Sequence, residues 1–183
     1  ATCIGVEWWF ELTAKVLSYQ VMIGGDRRQA AGTADVLEPS HADLDMAKDV
    51  VVNAKCQRFG VCNACESLLV HADAAAEFLP RIDSALAEHD VEIRGDERTC
   101  ELIDQSIAAT DEDFAQEFLA PILSAKVVGS LDEAIRHINK FGSGHTDTIV
   151  TKDLQAAREF VARVDSSAVM VNASTRFNDG GEF

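Results

Sequence analysis

Of the five cysteines in this sequence, one stands where a thiol can become a nucleophile. In NAKCQRFGVCNACE, residues 53–66, Cys62 follows Gly60 and Val61, a turn-capable pair, and precedes Asn63, Ala64, Cys65 and Glu66, which read as the opening of a short helix. Free N–H groups at a helix start favour a thiolate, the form of cysteine that attacks. Lys55 and Arg58 add positive potential just upstream, and Glu66 opposes them. The chemistry this suits is covalent catalysis by Cys62. Cys62 and Cys65 also form a C-x-x-C pair, which raises a redox or metal role. A structural zinc site needs a second close ligand pair, and neither Cys100 nor the scattered histidines supply one, so no metal is expected. His71 and His145 are candidates for proton transfer, although a histidine at a strand end is more often only hydrogen-bonded.

The bulk composition narrows the setting for that thiol. Sixteen basic against thirty-one acidic side chains leave a formal charge of −15, which repels nucleic acid and anionic membranes, so neither is expected as a partner. No apolar run reaches the roughly 20 residues of a membrane-spanning helix. The first residues lack a basic region and a cleavage site, and the odd cysteine count has no regular framework. Together these predict a soluble, cytoplasmic chain with free thiols.

The elements that must hold Cys62 alternate between short β-rich runs and helical periods, the pattern of an α/β fold with a mostly parallel sheet. Ala34 to Leu37 reads as a strand and Asp43 to Ala54 as a helix that buries Leu44, Ala47, Val51 and Ala54. Ser67 to His71 reads as a buried strand, followed by a helical stretch capped by Asp73, in which Pro80 allows either one bent helix or two shorter ones. Val91 to Arg94 and Ile122 to Val128 are further strands. Ser130 and Glu133 form the pattern of a capping box for a helix with Leu131, Ile135 and Ile138 inward and a stop at Gly142. Asp147 to Thr151 is a strand, Asp153 to Val164 a helix with Leu154, Ala157, Val161 and Val164 inward, and Ala168 to Val171 a last strand.

Four ordered motifs carry a resemblance: NAKCQRFGVCNACE, RGDERT at 94–99, FGSGHTDTIVT at 141–151 and VNASTRFNDGGEF at 171–183. From about Gly32 to Phe183 the chain resembles the γ-glutamyl phosphate reductases, or glutamate-5-semialdehyde dehydrogenases, of the aldehyde dehydrogenase superfamily. It departs from their pattern at Phe59, where proline is common, and at Cys65, where an aliphatic or small residue is usual. The resemblance implies a three-layer αβα catalytic domain over residues 32–183, truncated at its C-terminal end, with the cofactor domain mostly absent. Residues 1–31 stay unassigned. It further implies NADPH-dependent reduction of L-glutamyl 5-phosphate to the semialdehyde and phosphate through a thioester on Cys62, in proline biosynthesis, by an enzyme that is a homo-oligomer at full length. Glu117, in an E-x-x-x-P segment, takes the role of contacting the nicotinamide ribose. Asn172, Ser174, Thr175 and Arg176 fall in the substrate-anchoring loop, where hydroxyls and a guanidinium suit a doubly anionic substrate. The rival reading is a non-catalytic fragment of that fold serving as an assembly or binding module.

Overall fold

A strand whose residues are apolar without alternation needs cover on both faces, and Ser67–His71 is buried at all five positions. The cover is supplied by helices on either side of one parallel sheet. The computed structural model describes residues 20–23 and 42–178. Its strands are β1 (Gln20–Ile23), β2 (Ser67–His71), β3 (Glu92–Gly95), β4 (Ile107–Ala108), β5 (Ile122–Val128), β6 (Thr146–Val150) and β7 (Ala168–Val171), in the order β4-β3-β5-β2-β1-β6-β7. Every described pairing is parallel. The helices are α1 (Leu44–Cys56), α2 (Ala72–Ala87), α3 (Glu97–Cys100), α4 (Asp111–Ala115), α5 (Leu131–Phe141) and α6 (Leu154–Arg163).

Alternation along β2 divides the core in two. Leu68 and Val70 pack with Val51 and Ala54 of α1 and with Phe78, Leu79 and Ile82 of α2. Leu69, between them, joins Leu131, Ile135 and Ile138 of α5 and Phe160 of α6 on the opposite face. The result is the three-layer α/β arrangement expected for an aldehyde dehydrogenase fold. Each fully buried Leu, Ile or Phe contributes about 1.5–3 kcal/mol of transfer free energy, so both faces have a driving force of their own.

Several local expectations change. The expected strand at Ala34 to Leu37 lies outside the described residues. Pro80 sits inside one continuous helix, because Phe78, Leu79 and Ile82 on its buried face are wholly covered and outweigh the lost backbone bond. That helix is capped by His71, whose Nδ1 accepts the N–H of Asp73 at 3.3 Å, and not by Asp73 itself. The Ser130 hydroxyl accepts the N–H of Glu133, but the Glu133 carboxylate reaches past Ser130 to the N–H of Gly129 at 2.8 Å, so the reciprocal box does not close. On α6 and its cap, the expected Ala157 and Val164 are buried, but Leu154 and Val161 are 66% and 47% exposed, and Ala156 and Phe160 face the core in their place. β1 falls within the segment left unassigned, and it pairs with β2 and β6 at the middle of the sheet. No helix among the described residues is long and apolar enough to cross a membrane.

Candidate active site

Cys62 lies on the connection from α1 to β2. Its neck is closed by the Cys65 N–H donating to the Ala54 carbonyl at 2.9 Å and by a buried ion pair, Lys55 Nζ to Glu66 Oε2 at 2.8 Å. The expected helix at Cys62 does not form. A single turn stands there, with the Ala64 N–H donating to the Val61 carbonyl at 3.1 Å. Tertiary partners have taken the groups a helix would need: the Asn63 carbonyl accepts the Thr175 hydroxyl at 2.7 Å, and the Cys65 N–H belongs to Ala54. Cys62 is exposed with a free thiol, whereas Asn63, Ala64, Cys65 and Glu66 behind it are buried.

The electrostatics also differ from the plain reading of charges. Lys55 does not stand free to act on Cys62; its ammonium is spent on Glu66 inside the fold. Burial raises the Glu66 carboxyl, opposed first by Lys55 and then by the backbone at Leu119 and Phe118; the Leu119 N–H donates to its Oε1 at 3.4 Å. Burial pushes the Cys65 thiol up to about 12, with Lys55 opposing, and its sulfur donates to the Ser67 carbonyl at 3.5 Å. Cys65 thus behaves as a small core residue, which accounts for a cysteine where an aliphatic side chain is usual. Phe59 packs against the same cluster. Among the described residues no group of three or more His, Cys, Asp or Glu side chains is gathered closely enough to hold a metal ion.

The segment after β7 turns back along the sheet and docks on the Cys62 loop. Asn172 begins it at φ +53, its side-chain amide bonded twice to the Thr151 backbone at 2.9 and 3.0 Å. Ser174 is buried and accepts the N–H of Arg176 at 3.2 Å. Thr175 is buried against Asn63, and the half-buried Arg176 donates from Nε to Gln57 Oε1 at 3.1 Å. Asn178 closes the seam: its carbonyl accepts from Asn63 Nδ2 at 3.1 Å, and its own amide donates to the Thr146 hydroxyl at 2.7 Å.

Glu117 is half-buried on the connection from α4 to β5. That connection is tied to Glu66 through Leu119 N–H at 3.4 Å, and the Phe118 ring lies 5.2 Å from the Arg94 guanidinium, which Asp113 and Glu92 hold from the side. The loops bearing Cys62, Glu117 and Ser174 are therefore linked through the two ends of one short segment, Asn63 and Glu66. They gather at the amino ends of β2, β5 and β6, although ligands of open parallel sheets usually sit at carboxyl ends. His71 and His145 are used locally, the first as a helix cap and the second bonded through Nδ1 to the Thr146 hydroxyl at 2.7 Å.

Asn63, Asn178 and the Lys55–Glu66 pair were not anticipated. One signal existed: Lys55 is four residues after Val51 on the apolar stripe of α1, a phase that buries a cation and so calls for a partner.

Comparison with known proteins extends this picture. Residues 102–183 match the aldehyde dehydrogenase family. The γ-glutamyl phosphate reductase of Rhodopirellula baltica is 57% identical over 152 residues, covering 83% of this chain and 35% of that protein. The crystal structure of the γ-glutamyl phosphate reductase of Thermotoga maritima superposes with a TM-score of 0.81 at 43% identity, over 91% of this chain and 36% of that one. An engineered glycolyl-CoA reductase with bound NADP+, 13% identical, shares the fold with a TM-score of 0.62, over 92% of this chain and 44% of that one. The chain thus spans little more than a third of the length of the curated relatives it matches.

Proposed function

We propose that this chain, a homologue of part of the γ-glutamyl phosphate reductases in the aldehyde dehydrogenase family, carries the thiol-bearing part of an enzyme of proline biosynthesis. The reaction is reduction of L-glutamyl 5-phosphate to L-glutamate 5-semialdehyde and phosphate, with NADPH as reductant, in a cytoplasmic protein that is a homo-oligomer at full length. One observation carries the reading: Cys62 is an exposed free thiol on a loop whose buried flank is bonded both to the Ser174–Arg176 turn and to the Glu117 connection. No feature among the described residues favours the rival non-catalytic module.

In this reading the Cys62 thiolate attacks the acyl carbonyl and expels phosphate, leaving a thioester. The N–H groups of Ala64 and Cys65 already donate to Val61 and to Ala54 of α1, so the N–H of Cys62 or Asn63 is the proposed donor to the tetrahedral oxyanion. Arg176, reaching across the loop to Gln57, is the proposed anchor for an anionic end of the substrate. Asn172 and Thr175 shape the turn that presents it, since their side chains are bonded to Thr151 and Asn63, and Ser174 caps it. Glu117 is the residue that fits the nicotinamide ribose: a carboxylate on a connection fixed from behind accepts two hydroxyls well. When bound, that cofactor supplies the hydride that reduces the thioester. Collapse of the resulting thiohemiacetal returns the Cys62 thiolate and frees the aldehyde.

The first half-reaction needs only this thiol, which makes it the test. Incubated with L-glutamyl 5-phosphate and no cofactor, the chain gains one glutamyl group on the peptide holding Cys62, seen by intact and peptide mass and removed by hydroxylamine. Cys62→Ala gains none. Equal acylation of the two chains, or acylation spread over Cys56 and Cys100, would overturn the assignment.

A further inference from the structure

Lys55 and Glu66 stand at the two ends of the ten-residue segment, 56–65, that carries Cys62, and neither side chain reaches solvent, at 0% and 1% exposed. A buried ion pair is a poor source of stability, and apolar side chains of similar volume in its place are often neutral or better. Its geometry is the more telling feature. Lys55 holds one carboxylate oxygen, Oε2, at 2.8 Å, and the other, Oε1, accepts the N–H of Leu119, two residues from Glu117. Leu119 stands at φ +50 with 49% of its surface exposed, so side-chain packing does not hold it in that left-handed conformation. A non-glycine residue keeps such a conformation only where its surroundings over-determine it, and the Glu66 carboxylate is the partner that its N–H meets there.

We propose that Lys55 and Glu66 form a positioning clamp: Glu66, oriented by Lys55, fixes the spacing between the loop that carries Cys62 and the connection that carries Glu117. Both are positioning residues and act through others. The functional meaning of the clamp rests on the roles proposed above for Cys62 and Glu117, while the clamp itself rests on the bonds just described. It also accounts for a charge pair where an apolar one would fold as well: an acceptor at residue 66 takes the N–H of Leu119 on the 117–119 connection, which an apolar side chain there would leave without that bond.

Amide hydrogen exchange separates a clamp from a mere stabilising pair. In the parent chain the Leu119 amide is protected despite the exposure of that residue, and free exchange there would overturn the proposal without any variant. Lys55→Met/Glu66→Leu keeps the fold and a thermal midpoint near that of the parent, yet the Leu119 amide exchanges at least about tenfold faster, as expected for losing a hydrogen bond to a charged acceptor. Lys55→Met/Glu66→Gln restores an acceptor without a charge and returns most of the protection. Iodoacetamide labelling of Cys62 changes in the Leu variant and recovers in the Gln variant. Unchanged exchange in the folded Leu variant, or identical behaviour of the Leu and Gln variants, would overturn the clamp. A thiol that fails to take up the glutamyl group would end the proposed reaction and leave this exchange pattern in place, so the two failures are distinguishable.

Discussion

Two sulfurs three residues apart occupy different media, and this contrast decides what each can do. Cys62 faces solvent, while Cys65 lies in the core with its thiol pushed up to about 12 by burial. The motif made Cys62 legible as a nucleophile from residue types alone, but it gave no sign that the residues after it would be buried, since that depends on Thr175 and Asn178, more than a hundred positions away. His137 shows the same dependence on distant neighbours. It packs edge-on to Phe114 at 5.1 Å and near Phe141 at 4.7 Å, and its buried Nε2 has no hydrogen-bond partner among the described residues. Burial first, then Lys126 and Lys140, lower its pKa from 6.5 to about 4, with Asp111 and Asp96 opposing. The folded value lies below the unfolded one, so this contribution is intact above pH 6.5 and is lost as pH falls from there through about 4. At about 1.4 kcal/mol per pKa unit the loss approaches about 3 kcal/mol. Urea unfolding at about pH 7 and about pH 4.5 should show a smaller acid loss for His137→Phe than for the parent. Equal losses would mean that the histidine is not the group responsible.

At the scale of elements, the sequence is legible where one stripe dominates and ambiguous where two compete. α1 follows its expected stripe, with Leu44, Ala47, Val51 and Ala54 all buried. α6 follows its own only at Ala157 and Val164, because 154-157-161-164 and 156-160-164 are both helical spacings, and the second buries the larger aromatic Phe160. The short pieces α3, α4 and β4 carry too few residues for any period to register; the two helices form where Asp96 and Thr110 cap them locally, and the strand where it pairs with β3. Gly142 was legible as the stop of α5, though for a reason the residue type alone does not give. Its φ is an ordinary −67, and its N–H closes the helix on the Ile138 carbonyl at 2.6 Å. A Cβ there would lie 2.5 Å from that carbonyl oxygen, a backbone atom that cannot swing away. Gly142→Ala should therefore cost about 1–3 kcal/mol in urea unfolding. Gly60, where a Cβ meets nothing within 4 Å, is the control, and Gly60→Ala should leave the midpoint nearly unchanged. A tolerated Gly142→Ala would show that the turn can open at little cost.

The whole molecule depends on a strand that no motif announces. Gln20–Ile23 is four residues, too short for a period and without a clear turn signal before it, so apolar content alone cannot assign it. Yet it stands between β2 and β6, paired Gln20 to Ser67 on one side and Gln20 to Asp147 on the other. Those partners lie far along the chain, and only the assembled sheet creates a place for the strand. Without β1 the sheet falls into β4-β3-β5-β2 and β6-β7, each with a new unpaired edge. The candidate site straddles that division, since Cys62 enters β2 and the Ser174 turn leaves β7. Among the described residues, the bonds of Asn63 and of Gln57 to the turn would still reach from one half to the other. Deleting residues 1–24 should therefore abolish a single cooperative thermal transition, raise binding of a hydrophobic dye and drive association through the exposed edges. A truncated chain that melts in one transition at the parent midpoint would place β1 outside the cooperative core and leave the rest of the sheet to hold the site by itself.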